Sequence, residues 1–234
     1  MLLYIIRHGD PDYTTDTLTE RGRMQAEAVG KRLAKIGIDR IFSSPMGRAR
    51  QTAEPLCATI GMNYSVEEWT HEIEDERITT FPDGVPKSIS LVQNTLYRAN
   101  GGIDLDYAHA YECAGISETQ MRSKVAEIEK NGDDFLERLG YRREGENYRI
   151  LWDNNERVAL FCHAAFSRAW ISTLLHIPLH IMWSSFEYTH TGVTVIEFNN
   201  NSDGLTAPRC LVYSDMSHLL EENLDTRYNN GKEI

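Results

Sequence analysis

The chain has 234 residues, with 24 Lys and Arg against 35 Asp and Glu, a formal net charge of −11 with histidine neutral. At 41% hydrophobic and 25% charged residues it can bury a proper core, and with 16 Gly and 7 Pro it is neither collagen-like nor low-complexity. The acid surplus excludes the basic face of a nucleic-acid binder, but it leaves room for a small anionic ligand in a locally basic pocket, because local field outweighs net charge at short range.

In chain order, 2–6 is an apolar run that stops at Arg7-His8-Gly9, the pattern of a buried strand in a parallel sheet. Leu18-Thr19-Glu20 opens a helix. Thr19 can cap it, Met24, Ala28, Leu33 and Ile36 recur at roughly helical spacing, and Gly37 suits its end. Residues 40–42 read as the next strand, ending at Ser43-Ser44-Pro45. A second helix is expected over about 46–60 with Gly61 closing it, and a third strand over 64–69. This β-α-β-α-β alternation belongs to a layered α/β domain.

Residues from about 73 to 155 break that rhythm. The stretch 79–115 carries Pro, Gly and Asn with weak periodicity, and one helix is expected near 87–100. Residues 117–139 read as a helix, and Ser117-Glu118-Thr119-Gln120 has the form of a capping box. Segments 148–152 and 158–161 flank Asp153-Asn154-Asn155-Glu156 like two strands around a turn. The α/β pattern then returns, with a helix over about 164–175 and strands over 191–198 and 209–213. The polar tail after Ser217 is expected to fray.

Cysteines 57, 113, 162 and 210 form no CxxC and lie far apart, so free thiols in a reducing compartment are expected rather than a zinc knuckle or a disulfide framework. The apolar run before Arg7 is too short for a signal peptide, and no run approaches the roughly twenty apolar residues of a membrane span. The sequence therefore predicts a soluble, cytoplasmic protein without membrane or nucleic-acid partners; its oligomeric state is not legible.

Ligands collect at strand ends in α/β sheets. Three strands end in informative residues: Arg7-His8-Gly9, the stretch from Ser43 to Arg48, and Cys162-His163-Ala164. In a parallel sheet these carboxyl ends converge, so two arginines and two histidines meet although they are spread over the sequence. Arginine offers forked, permanently charged donors matched to phosphate. A central histidine can act as a nucleophile, and Gly9 lets the backbone approach a ligand closely.

The run LYIIRHG, then LTERGRMQA at 18–26, SSPMGRARQTA at 43–53, and the strand–His–helix segment at 158–175 resemble the histidine phosphatase (phosphoglycerate mutase-like) superfamily, in its phosphatase-type branch. Three residues alone carry little; the ordered segments carry the resemblance, which covers roughly 1–72 and 156–215. It implies an α/β fold, a three-layer α/β/α sandwich with a mostly parallel central sheet. The chain then reads as a single domain over 1–234, a core with a helical or irregular insert at about 73–150 over the active site that selects the substrate.

Matched residue by residue, the resemblance makes His8 the nucleophile that takes the phosphoryl group, with Arg7, Arg48 and His163 completing the phosphate pocket. Chemistry agrees: attack needs a neutral imidazole, and flanking guanidinium groups disfavour its protonated form while offsetting charge on the phosphoryl oxygens. The family takes its proton donor from a Glu just after the third strand, and Glu72 is the choice here; Glu74, Asp75 and Glu76 crowd the same segment. The implied reaction is hydrolysis of a small phosphomonoester, without metal or cofactor.

Two departures stand out. Asp10-Pro11-Asp12-Tyr13 replaces the Thr and Asn that many relatives carry after RHG, and Cys162 and Ala164 replace glycines flanking the second histidine, although Ala164 can still offer its backbone N–H at a helix start. Three other readings compete. Cys162 to Arg168 fits the C-x5-R spacing of cysteine-dependent phosphatases, but the loop lacks glycine. His176 and His180 are four apart, but Pro178 interrupts a metal-binding helix, and His71, His109, His190 and His218 show no ligand spacing; His190, just before a strand, is the one expected near the site. A non-catalytic phosphate-binding regulator is the third. Within the family, mutases carry a stretch resembling RHYGxLxGxNK after the catalytic Glu, where this chain has IEDERITTFPDG.

Overall fold

The computed structural model describes residues 1–74, 76–78, 87–92, 95, 106–112 and 115–227. Strands run in the order β1 (Leu2–Arg7), β2 (Pro11–Asp12), β3 (Thr17–Leu18), β4 (Arg40–Ser43), β5 (Ser65–Val66), β6 (Arg77–Ile78), β7 (Lys87–Ser88), β8 (Tyr141–Glu144), β9 (Asn147–Ile150), β10 (Arg157–Cys162), β11 (Val193–Glu197), β12 (Leu205–Thr206) and β13 (Arg209–Asp215). The helices are α1 (Glu20–Ile36), α2 (Gly47–Ile60), α3 (Met121–Glu137), α4 (Ala164–Leu175), α5 (Leu179–Ser185) and α6 (Ser217–Glu221).

The central sheet has the order β13-β11-β1-β10-β4-β5. Strand β1 runs parallel to β10, and β10 to β4, whereas β11 is antiparallel to both of its neighbours. Both faces are covered, and the pleat sorts the side chains. Tyr4, Ile6, Ala159 and Phe161 pack with Val29, Leu33, Ala53 and Leu56 of α1 and α2. Leu3, Ile5, Val158, Leu160 and Cys162 pack on the other face with Phe135 of α3 and Phe166 and Trp170 of α4. The expected α/β/α layering with a mostly parallel sheet is the observed one.

Helix α1 starts as its sequence dictates: the Thr19 side chain accepts from Gly22 N, and Gly37 closes the other end. Met24 lies off the buried stripe and is exposed; Gln25, Ala26 and Val29 face inward instead. Gly61 ends α2 in the left-handed region at φ 70°. The expected third strand shrinks to β5, because Glu68–Thr70 turns into a short 3-10 helix. The capping box at Ser117 does not form. Ile116–Glu118 is a 3-10 turn, and α3 begins at Met121 without a side-chain cap on Gln120.

Segments 148–152 and 158–161 are not partners around a turn. Strand β9 pairs with β8 and β12 in a small separate sheet, while β10 joins the central one, since its continuous apolar run needs cover on both faces. Nor does the tail fray at Ser217: α6 buries His218 and Leu219. Of the helix expected near 87–100, the described part shows a 3-10 turn over Ile89–Leu91, and most of the rest lies outside the described residues. Helix α3 packs in the core beside α4. No helix among the described residues is long and apolar enough to cross a membrane.

Candidate active site

Adjacency of β1, β10 and β4 brings their carboxyl ends together, and with them the three polar segments of the sequence. Arg7 ends β1, His8 follows it, His163 sits between β10 and α4, and Arg48 lies in the first turn of α2. All four side chains are buried. The His8 and His163 rings stand 5.2 Å apart between centroids.

The loop after β1 is held by the remaining motif residues. Gly9 N donates to Thr52 Oγ1 at 3.0 Å, and Asp10 N donates to Gln25 Oε1 at 2.8 Å. Gly9 and Gly22 touch through their backbones: a Cβ on Gly9 would stand 2.6 Å from Gly22 O. Each glycine is therefore required by close approach. LTERGRMQA and RARQTA are thus the scaffolding that fixes the backbone of RHG.

His8 Nδ1 lies 2.7 Å from Gly9 O. A carbonyl can only accept, so Nδ1 carries the proton and Nε2 keeps its lone pair. Burial, then the charge of Arg7 and the proximity of His163, hold the His8 pKa well below its ordinary value, which favours the neutral ring that a nucleophile would need. Burial pushes His163 down in the same way, reinforced by Arg48 and then Arg7. His163 Nε2 lies 2.7 Å from Ser44 Oγ.

Arg7 donates through Nη1 to Tyr188 O at 2.5 Å, and its Nε has no hydrogen-bond partner among the described residues. Arg48 is set by a residue the sequence reading passed over. Asp16 Oδ1 accepts from Arg48 Nη1 at 2.5 Å and Asp16 Oδ2 from Gly47 N at 2.6 Å, with Asp16 itself at φ 53°. One carboxylate thus orients the guanidinium and caps α2. Nothing in the DPDYTTD stretch marks Asp16 among its neighbours; only the fold of the 10–18 loop selects it.

Glu72 enters from the segment after the 3-10 turn at 68–70. Its carboxylate accepts from Phe166 N at 2.8 Å and Ala165 N at 3.3 Å, at the start of α4. Of the competing acids, Glu74 is largely exposed at the rim of the site cavity and Glu76 is tied to Lys124 at 2.9 Å, while Asp75 lies outside the described residues. A cavity of about 410 Å³ opens above this floor, lined by Arg7, Arg48, Glu72 and Ala164 at one end and by Arg77, Ser88, Ser90, Leu91 and Glu187 among others further out. Tyr107 and Tyr111 do not line it; Tyr107 packs on the His176 ring and Tyr111 against the core.

His190 stands beside the site, its ring 5.7 Å from His8 and its Nδ1 3.6 Å from Asp10 Oδ1. Burial, then Arg7 and Arg21, pushes its pKa down to about 2. The cysteine reading has no support in this arrangement. Cys162 faces the core, burial pushes its thiol up to about 12, and Arg168 donates to the carbonyls of Ala164, Trp183 and Ser90 rather than to a phosphate cradle at the sulfur.

Residues 3–79, which carry Arg7, His8, Arg48 and Glu72, match the family model of the histidine phosphatase superfamily, branch 1. That stretch is about a third of the chain, and what it shows is a likeness of residues 3–79 to the superfamily. Curated relatives include proteins from Citrobacter koseri and Salmonella arizonae, each described as "Probable phosphoglycerate mutase GpmB", at 31% and 30% identity over 81 residues. Those matches cover 31% of this chain and 38% of each relative. Solved structures are alike in fold over most of the chain. A phosphoserine phosphatase from Entamoeba histolytica, in complex with 3-phosphoglyceric acid, superposes with a TM-score of 0.61 at 22% identity, covering 93% of this chain and 98% of that one. A mycobacterial glucosyl-3-phosphoglycerate phosphatase bound to VO3 gives 0.57 at 20%, covering 91% and 98%. A putative alpha-ribazole-5'-P phosphatase from Escherichia coli gives 0.58 at 16%, covering 92% and 98%.

Proposed function

We propose that this chain hydrolyses small phosphomonoesters through a phosphohistidine on His8, without a metal or cofactor. The observation that carries the reading is the His8 ring, fixed by Gly9 O with its Nε2 lone pair free, on a floor that holds Arg7, Arg48 and His163. In the first step Nε2 attacks phosphorus in line as the ester P–O bond breaks. Arg7, Arg48, His163 and the N–H of Ala164 hold the phosphoryl oxygens, and Glu72 gives its proton to the leaving alkoxide. In the second step the Glu72 carboxylate takes a proton from water, water oxygen attacks phosphorus, and the N–P bond breaks to return neutral His8 and inorganic phosphate.

Hydrolysis is preferred to mutase transfer on two grounds. The segment after Glu72 lacks the RHYGxLxGxNK-like stretch of mutases, and several solved structures alike in fold over more than nine-tenths of the chain are described as phosphatases. The mutase name of the curated relatives rests on about a third of this chain. The core at about 1–72 and 156–215 supplies the chemistry, and residues of the 73–150 segment wall the leaving-group end. A −11 chain with this local cationic floor favours small phosphoesters over polyanions, in keeping with a cytoplasmic metabolite as substrate.

The test follows both outcomes at once. An aryl phosphate and a glycerate monophosphate are each incubated with the protein; phosphate release is followed, and a base-quenched sample is digested to find the phosphorylated His8 peptide. Release with phosphate on His8 is expected. Dominant isomerisation of the glycerate ester would replace hydrolysis by transfer, and a folded, inert protein would favour a phosphate-binding regulator.

A further inference from the structure

His8 and His163 use their ring nitrogens in opposite ways. In His8 the protein engages Nδ1 and leaves Nε2 open. In His163 the protein engages Nε2, through Ser44, and Nδ1 is buried without a hydrogen-bond partner among the described residues. Which proton the second ring carries decides what Nδ1 can do, and the local network answers it.

Ser44 is fully buried. Its Oγ receives the N–H of Met46 at 3.3 Å and lies 2.7 Å from His163 Nε2. A backbone N–H can only donate, so the Met46 contact uses an acceptor site of the hydroxyl and leaves its own proton to be directed. Among the described residues the other hydrogen-bond contact of that hydroxyl is with His163 Nε2. The reverse arrangement, with an N–H on Nε2 pointing at Oγ, would strand a buried O–H, and an unmade buried hydrogen bond costs more than a made one contributes. We propose that Ser44 fixes the tautomer of His163, donating its hydroxyl proton to Nε2 so that the ring's own proton sits on Nδ1 as an uncharged donor for a phosphoryl oxygen.

The surroundings fit this role. Arg7 Nε and Arg48 Nε are likewise buried and unpartnered among the described residues, so three N–H groups await one anion. With Arg48 and Arg7 lowering its pKa, His163 stays a neutral ring with a single proton, and only the tautomer determines whether that proton is useful. Ser44 is then a positioning residue: it acts through His163 and need not touch substrate. The serine stands at the end of β4, beside β10 that delivers His163, which explains why a hydroxyl is needed at that strand end.

Nitrogen-15 NMR of the histidine side chains reads the tautomer directly, with a His163→Asn variant identifying the signals. In the wild type Nε2 of His163 is expected to be the unprotonated nitrogen, and orthophosphate is expected to shift the Nδ1 proton downfield. Ser44→Ala should mix the tautomers, weaken orthophosphate binding about tenfold and lower kcat/KM at least as much, whereas Ser44→Thr, which keeps the hydroxyl, should restore all three readouts. A wild-type Nε2–H tautomer overturns the proposal, as does a Ser44→Ala protein with unchanged tautomer and phosphate affinity. Should Ser44→Ala fail to fold, the wild-type spectrum and its response to phosphate still decide. The activity arm rests on the phosphatase reading, but the tautomer and orthophosphate arms do not, so an inert protein with the expected tautomer would sink the hydrolase reading and leave this one standing.

Discussion

The two ends of the cavity are built by different means. Beneath one end, β1 and β10 supply Arg7, His8 and His163, with Arg48 from the helix that follows β4; all four side chains are buried, and Arg7 and Arg48 reach the cavity lining. The outer end is walled by Arg77, Ser88, Ser90 and Leu91 from short elements outside the sheet, with Leu91 71% exposed. On the proposed reading, chemistry that is the same for every phosphoester would sit on the rigid part, and contacts to the variable leaving group on the part that can change without disturbing the core.

The largest effect expected from this division is at the nucleophile. His8→Ala should lower turnover by about four orders of magnitude or more while the protein remains folded, since nothing else on the floor can take the phosphoryl group. Steady-state hydrolysis with circular dichroism checks it; retained turnover would move the nucleophile elsewhere. Glu72 stands where the two ends meet, so Glu72→Gln should cost about 10² to 10⁴ on an alkyl phosphate and far less on a nitrophenyl phosphate, whose leaving group needs no proton. Equal losses on both esters would show that Glu72 only anchors the start of α4.

Acid stability separates the ends again. His8, His163, His190 and His218 all have folded-state pKa values below the ordinary one, chiefly through burial, with His190 at about 2 and His218 at about 4. The unfolded chain therefore binds more protons than the native one below about pH 6.5, and stability is lost as pH falls through that window. Each such histidine contributes up to about 1.4 kcal/mol per pH unit, until its own folded pKa is reached. Urea midpoints at pH 7.5 and 5.5 test it; identical midpoints would mean that these rings are already charged in the native state. The smallest effect belongs to the outer end. Leu91→Ala should change KM by a few-fold, differently for bulky and small esters, and leave inhibition by orthophosphate untouched. A matched change in phosphate inhibition would erase the distinction between the two ends.

The gathering of Arg7, His8, Arg48 and His163 at one sheet edge was legible in the sequence because these residues follow strands. Apolar runs of five or six residues stopping at Arg7-His8-Gly9 and at Cys162-His163 announce buried parallel strands, and parallel strands must deliver their ends to one edge. Thr19, Gly37 and Gly61 marked helix limits through local chemistry alone, and each limit is observed. Ser117 failed for a reason of the same kind read too locally: a capping box needs its serine at the first turn, and tertiary packing of Ile116 and Met121 in the core places the helix start after it.

The roles of Asp16 and Ser44, and the contacts of Glu72 that the sequence could only choose by its position, belong to the tertiary structure. Asp16 reaches Arg48 across 32 positions and Ser44 reaches His163 across 119, so no periodicity records either contact. Glu72 is set apart from its acidic neighbours only by the start of α4, whose backbone N–H groups it meets more than ninety residues away. The sequence by itself determined which residue types gather at the sheet edge, because hydrophobic runs and their stops are local properties. Which nitrogen is open, which carboxylate is aimed and what orients each guanidinium depend on hydrogen bonds between distant segments, and those exist only once the sheet has brought the strand ends together.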